Sequence, residues 1–167
     1  MSKLNFSTEN CPICKSKMNI IIEQKDVDFV GKIWIFTYKC NNCGYKKTDV
    51  MIDKIRPPRK ITFVVERTED LYIKVIKSSS ATVRLPELEY EIKPGPAAIG
   101  KITNIEGILR DFLDGLTFFR DNTKKIEQIR ERILKTIEGK DKLTVVIEDP
   151  LGQSDIISKK AKVEEST

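Results

Sequence analysis

At 167 residues the chain has room for one ordinary hydrophobic core plus a small accessory module, and not for two full enzyme domains. A composition that is 40% apolar and 33% charged is that of a globular protein, and no apolar run approaches the roughly 20 residues needed to span a bilayer, so a cytoplasmic chain with no membrane partner is expected. The net charge of +5 is uneven: residues 1–60 carry 12 Lys and Arg against 6 Asp and Glu, whereas residues 61–167 carry 18 against 19. Such an excess suits a polyanionic or acidic partner, or simply a solvated basic surface.

All four cysteines fall in two pairs, Cys11-Pro12-Ile13-Cys14 and Cys40-Asn41-Asn42-Cys43. Each Cys-x-x-Cys bends the backbone into a knuckle that points two sulfurs at one metal, and two knuckles supply the four thiolates of a closed, tetrahedral, structural zinc site. The chain has no histidine, so no mixed ligand set is possible. Such a site leaves no open position for water or substrate, which argues for architecture or recognition and against metal catalysis. Two disulfides, a redox pair and buried apolar thiols are the competing readings. Residues 1–10 hold no apolar run that could act as a secretory signal, and a redox motif would leave one pair idle. Residues 1–53 therefore read as a zinc ribbon.

Between the knuckles, residues 19–23 and 32–38 are rich in β-branched and aromatic side chains and read as strands, with residues 24–31 as their connecting tip. Trp34, Phe36 and Tyr38 share one face by alternation and are expected to pack on the second domain. Gly44 stands after the second knuckle, where a positive φ is commonly wanted; Lys15 stands at the equivalent point of the first. Lys46 and Lys47 follow Tyr45 and, with Arg56 and Arg59 of the next segment, are candidate partner-binding residues.

Residues 54–60, with Pro57 and Pro58, read as an extended basic linker. A β-domain is expected over 61–157, with strands at 61–66, 71–77, 81–85 and 88–92, and again at 143–148. In the fourth, Leu88, Tyr90 and Ile92 point inward, and Glu89 and Glu91 form its wet face. A helical hairpin interrupts these strands at about 103–138. Thr103-Asn104-Ile105-Glu106 has capping-box form, and Ile105, Ile108, Leu109, Phe112, Leu113, Leu116 and Phe119 make one apolar stripe. Asn122 or Thr123 caps a second helix whose Ile126, Ile129, Ile133 and Ile137 form a narrower stripe, and the link at 120–122 is short. Residues 158–167 are charged, lack apolar period and are expected to be a disordered tail.

The paired cysteines, Ser80-Ala81-Thr82-Val83-Arg84-Leu85-Pro86-Glu87-Leu88-Glu89-Tyr90-Glu91-Ile92, Thr103-Asn104-Ile105-Glu106-Gly107-Ile108-Leu109 and Glu148-Asp149-Pro150-Leu151-Gly152-Gln153-Ser154 together resemble the ZPR-type zinc-finger proteins. The resemblance runs to about Ile156. It implies a four-cysteine zinc ribbon followed by a double-stranded β-helix-like domain with an inserted α-hairpin, a mostly β fold. It also implies binding to the GTP-binding translation elongation factor that carries aminoacyl-tRNA. Eukaryotic members carry two such modules and bind receptor kinases as well. This chain shows one module, as an archaeal relative would, so surfaces that need both are not carried over.

Two functions follow. One is a non-enzymatic adapter or folding helper for an elongation factor of the one-alpha type, holding one structural zinc; the other is a nucleic-acid-binding zinc ribbon acting in translation or transcription. Without histidine there is no Ser-His-Asp or Cys-His pair, and the eight glycines form no phosphate-cradling loop.

Overall fold

The computed structural model describes residues 3–6, 9–28, 30–119 and 123–165. Its first unit is a four-stranded antiparallel sheet in the order β1 (Lys3–Phe6), β2 (Asn19–Val27), β3 (Gly31–Lys39), β4 (Lys46–Ile52). The β2–β3 ladder runs from Asn19 opposite Lys39 to Val27 opposite Gly31, so the arms are longer and the tip shorter than the sequence suggests. Ile33, Val50 and Ile52 lie on one face of this sheet, where they pack with Val30 and, across the boundary, with Ile76 and Ile157. The isoleucine face therefore carries the apolar contact with the second domain. The row Trp34, Phe36 and Tyr38 occupies the opposite face, half-buried.

The second unit is a sandwich. One sheet is ordered β12 (Lys162–Glu165), β5 (Arg59–Val65), β10 (Leu143–Asp149), β7 (Thr82–Leu85), β8 (Tyr90–Ile92); the other is β11 (Asp155–Ile156), β6 (Lys74–Lys77), β9 (Lys101–Asn104). Alternate residues of β5 and β10, namely Ile61, Phe63, Val65, Leu143, Val145 and Ile147, fill the space between the sheets and are essentially fully buried. Helices α1 (Ile105–Leu116) and α2 (Lys124–Ile137) cover that core. Ile105, Ile108, Leu109, Phe112 and Leu116 form the buried stripe of α1, and Ile133 is its counterpart on α2. Phe119 lies beyond the end of α1 and is 56% exposed.

Several local readings change. Residues 71–73 are not strand: Thr68–Tyr72 is a 3-10 turn because the Asp70 carboxylate accepts the amides of Glu66 and Arg67 at 2.9 and 3.2 Å. Pro86–Leu88 is another such turn, ending at Glu89 with φ 48°. The inward and outward pattern of 88–92 survives, although only Tyr90–Ile92 is strand. Thr103 belongs to β9, and the cap of α1 is Asn104, whose side chain accepts from the Gly107 amide at 2.8 Å. Thr123 precedes α2 without a side-chain bond to it, and Asn122 with the 120–122 link lies outside the described residues.

The tail expected to be disordered from 158 is ordered through Glu165. Lys160 reaches Asp70 at 2.8 Å, and β12 pairs antiparallel with β5, Val163 opposite Ile61. A ladder needs backbone donors rather than apolar period, so charge composition did not reveal it.

The linker is also built in. β5 begins at Arg59, and the preceding residues are held by the segment after β10: Gln153 donates to the Lys54 carbonyl at 2.9 Å, and Arg56 pairs with Asp155 at 2.9 Å. Gly152, at φ 64°, sits so near the Arg56 and Pro57 carbonyls that any Cβ would collide with them.

Candidate metal centre

The two knuckles have the same hydrogen-bond pattern. In the first, the Cys11 amide donates to the Ser16 carbonyl at 2.8 Å and the Lys15 amide to Cys11 at 3.0 Å; in the second, Cys40 donates to Tyr45 at 2.8 Å and Gly44 to Cys40 at 3.1 Å. Each needs a left-handed residue after its second cysteine. Gly44 adopts φ 77° at no steric cost, and Lys15 adopts φ 62° with the strain a side chain brings there. Its ammonium partly compensates by donating to the Pro12 carbonyl at 3.2 Å.

β2, β3 and β4 carry the knuckles to one end of the sheet, so the four sulfurs converge within 4.8 Å of one another. Cys11 Sγ is 3.5 Å from Cys43 Sγ, and Cys14 Sγ is 3.4 Å from Cys40 Sγ. A tetrahedron with metal–sulfur bonds of about 2.3 Å has edges of roughly 3.8 Å, so the donor set fits a zinc ion. Cys11, Cys14, Cys40 and Cys43 would hold it. Cys11 and Cys40 are fully buried against Met18, with Tyr38 and Tyr45 beside them, whereas Cys43 is exposed.

The sulfurs differ in acidity. The side chains of Asn42 and Ser16 pull the Cys14 thiol down to about 5. At Cys43 the Tyr45 amide lowers the thiol, but desolvation and the thiols of Cys11, Cys14 and Cys40 outweigh it and push the group up to about 12. Zinc binding displaces the protons that remain, so metal affinity rises with pH.

Of the basic candidates, Lys46 is exposed and Lys47 half-buried at the start of β4. Lys47 lines a groove of about 380 Å³ with Tyr38, Tyr45, Glu9 and, from the sandwich, Pro96 and Ala97. Arg56 and Arg59 are elsewhere, both beside Asp155: Arg56 bonds it at 2.9 Å, and Arg59 stands at 3.5 Å. The buried Asp149, which belongs to the Asp-Pro-Leu-Gly-Gln-Ser run that carries the family resemblance, holds the 149–154 turn by accepting from Ser80 Oγ at 2.7 Å, Ser154 Oγ at 2.6 Å and the Leu151 amide at 3.0 Å.

A four-thiolate ribbon joined to a β-sandwich with a helical hairpin defines a zinc-binding protein of the zinc-finger class. The profile of the ZPR1 jelly-roll domain matches residues 69–167, and an uncharacterised ZPR1-like protein of Methanocaldococcus jannaschii is 38% identical over 92% of this chain and 81% of its own. The chain belongs to the ZPR1 family. A ZPR1-like protein of Pyrococcus horikoshii is 37% identical over 92% of this chain and 74% of its own. The zinc finger chaperone zpr1 of Schizosaccharomyces pombe is 31% identical over 86% of this chain, which spans only 34% of that longer protein.

Proposed function

We propose that this ZPR1-type protein is a non-enzymatic, zinc-held adapter or folding helper in the cytoplasm whose client is a GTP-binding translation elongation factor. The observation that carries the reading is the similarity, over most of this chain, to a relative named a zinc finger chaperone. The elongation factor as client rests on the family resemblance in the sequence. The site chemistry agrees, because four thiolates leave zinc no coordination position for a substrate. Nucleic-acid binding is the weaker reading, since Arg56 and Arg59 are turned to Asp155 and only Lys46 and Lys47 of the four candidates remain on the ribbon.

The test is a direct competition at about 0.15 M salt between the purified elongation factor and RNA for the zinc-loaded chain. A stable complex with the factor and weak, steeply salt-dependent RNA binding is expected; tight RNA binding without a factor complex overturns the proposal. Lys46→Glu/Lys47→Glu is the suitable charge reversal. Reversing Arg56 and Arg59 would break internal ion pairs as well, and so would confuse binding with stability.

A further inference from the structure

Strand β12 follows directly on an anchored segment. Its anchor is firm: Lys160 bonds both oxygens of the buried Asp70 at 2.9 and 2.8 Å and lies 5.3 Å from the centre of the Phe63 ring. Ala161 packs against the core beside it. The arm formed by β12 is light. All four residues of Lys162–Glu165 are exposed, Val163 being 41% accessible, and they pair with the sheet along the ladder to β5. Two ion pairs accompany that ladder, Lys60 to Glu164 at 3.9 Å and Arg59 to Glu165 at 3.6 Å, with the carboxylates 70% and 51% exposed. Pairs of that length and exposure hold weakly and are screened by salt.

The surface beneath is less casual. Arg59 is 11% exposed, and its Nε and Nη1 are buried with no hydrogen-bond partner among the described residues. Its neighbours Asp155 and Glu165 stand at 3.5 and 3.6 Å, close enough to attract and too far to bond. A buried guanidinium with open donors at a sheet edge is a recognition element waiting for a better-placed carboxylate. β5 otherwise offers a regular antiparallel edge, on which the cations Arg59 and Lys60 precede Ile61, itself buried in the core.

The geometry points to the β5 edge as a strand-addition site for an extended acidic segment of a protein partner, occupied in this structure by the chain's own Lys162–Glu165. The occupant on the page defines the chemistry. It is an extended run with one apolar residue opposite Ile61, followed by two carboxylates opposite Lys60 and Arg59. A partner strand must displace β12, so the arm sets a threshold that an intramolecular competitor at high effective concentration imposes. This inference does not depend on which client the protein serves.

The probe is a fluorescent peptide, Ala-Lys-Val-Glu-Glu, titrated against the zinc-loaded full chain by anisotropy, with Ala-Lys-Val-Lys-Lys as control. Val163→Pro breaks the arm's ladder, and the peptide should bind this variant about tenfold or more tightly than wild type. Hydrogen exchange of wild type with saturating peptide should show residues 162–165 losing protection. Glu164→Lys/Glu165→Lys loosens the arm without touching its backbone and serves if the proline variant does not fold. Equal affinity for wild type and a folded arm variant overturns the inference. So does equal binding of the two peptides, or binding that leaves residues 162–165 protected. A concentration-dependent dimer of the arm variants, seen by light scattering, would give the edge to a second copy of this chain and overturns the partner-segment reading.

Discussion

Lys15 and Gly44 occupy equivalent corners of the two knuckles at φ 62° and 77°, and the difference between them is the energy of a Cβ in left-handed backbone. Lys15→Gly should relieve that strain, and the gain, about 0.5–1 kcal/mol, is partly offset by added freedom in the unfolded chain. Gly44→Ala should cost about 1 kcal/mol. Competitive zinc titration against a chromophoric chelator reads both changes, and a Lys15→Gly protein that binds zinc more weakly would contradict the argument. Asp149 is a second residue whose environment decides its role. Burial alone would raise its carboxyl, but bonds from Ser154, Ser80 and the Leu151 amide outweigh it and hold the group below the ordinary aspartate range. A depressed carboxyl stabilises the fold above its unfolded value, near about 3.9, and loses that contribution as pH falls through its lower folded value. Asp149→Asn should therefore cost about 2–3 kcal/mol at neutral pH, with the gap from wild type closing only below about pH 4, as urea midpoints across pH would show.

Among the elements, α1 separates core from surface within a few residues. Phe112 is fully buried, and its ring meets Tyr90 edge-on at 4.9 Å, whereas Phe118, just past the helix end, is 85% exposed. Phe112→Ala should lose about 3–5 kcal/mol through transfer and cavity terms, while Phe118→Ser should stay within about 0.5 kcal/mol. Thermal unfolding of the two variants makes the comparison, and a stable Phe112→Ala protein would mean that the hairpin does not belong to the core. The stripe of α1 was legible because 3.6-residue periodicity is a local property that survives any tertiary arrangement. β4 was not read at all, since Lys46–Ile52 has a buried face of only Val50 and Ile52 and owes its existence to the free edge of β3. β12 is the same case carried further, a strand of charged residues defined entirely by its neighbour.

At the scale of the molecule, the ribbon has too little interior to stand without its metal, yet one of its faces is completed by the sandwich residues Ile76 and Ile157. Chelating the zinc should unfold residues 11–47 and also lower the melting temperature of the sandwich by several degrees, because those isoleucines lose their cover. Far-UV circular dichroism of the sandwich together with Trp34 fluorescence of the ribbon distinguishes this from two independent modules, which would leave the second transition unmoved. The sequence by itself determined the four-thiolate site, the apolar stripes of the helices and the alternating strands of the sandwich, because ligand spacing and hydrophobic period are written in neighbouring residues. Only the tertiary structure decided that isoleucines form the buried apolar contact between the two units, that Arg56 and Arg59 face Asp155, and that the charged C-terminal segment is a strand. Each of these depends on a partner far away in the chain, and neither charge nor periodicity carries the address of that partner.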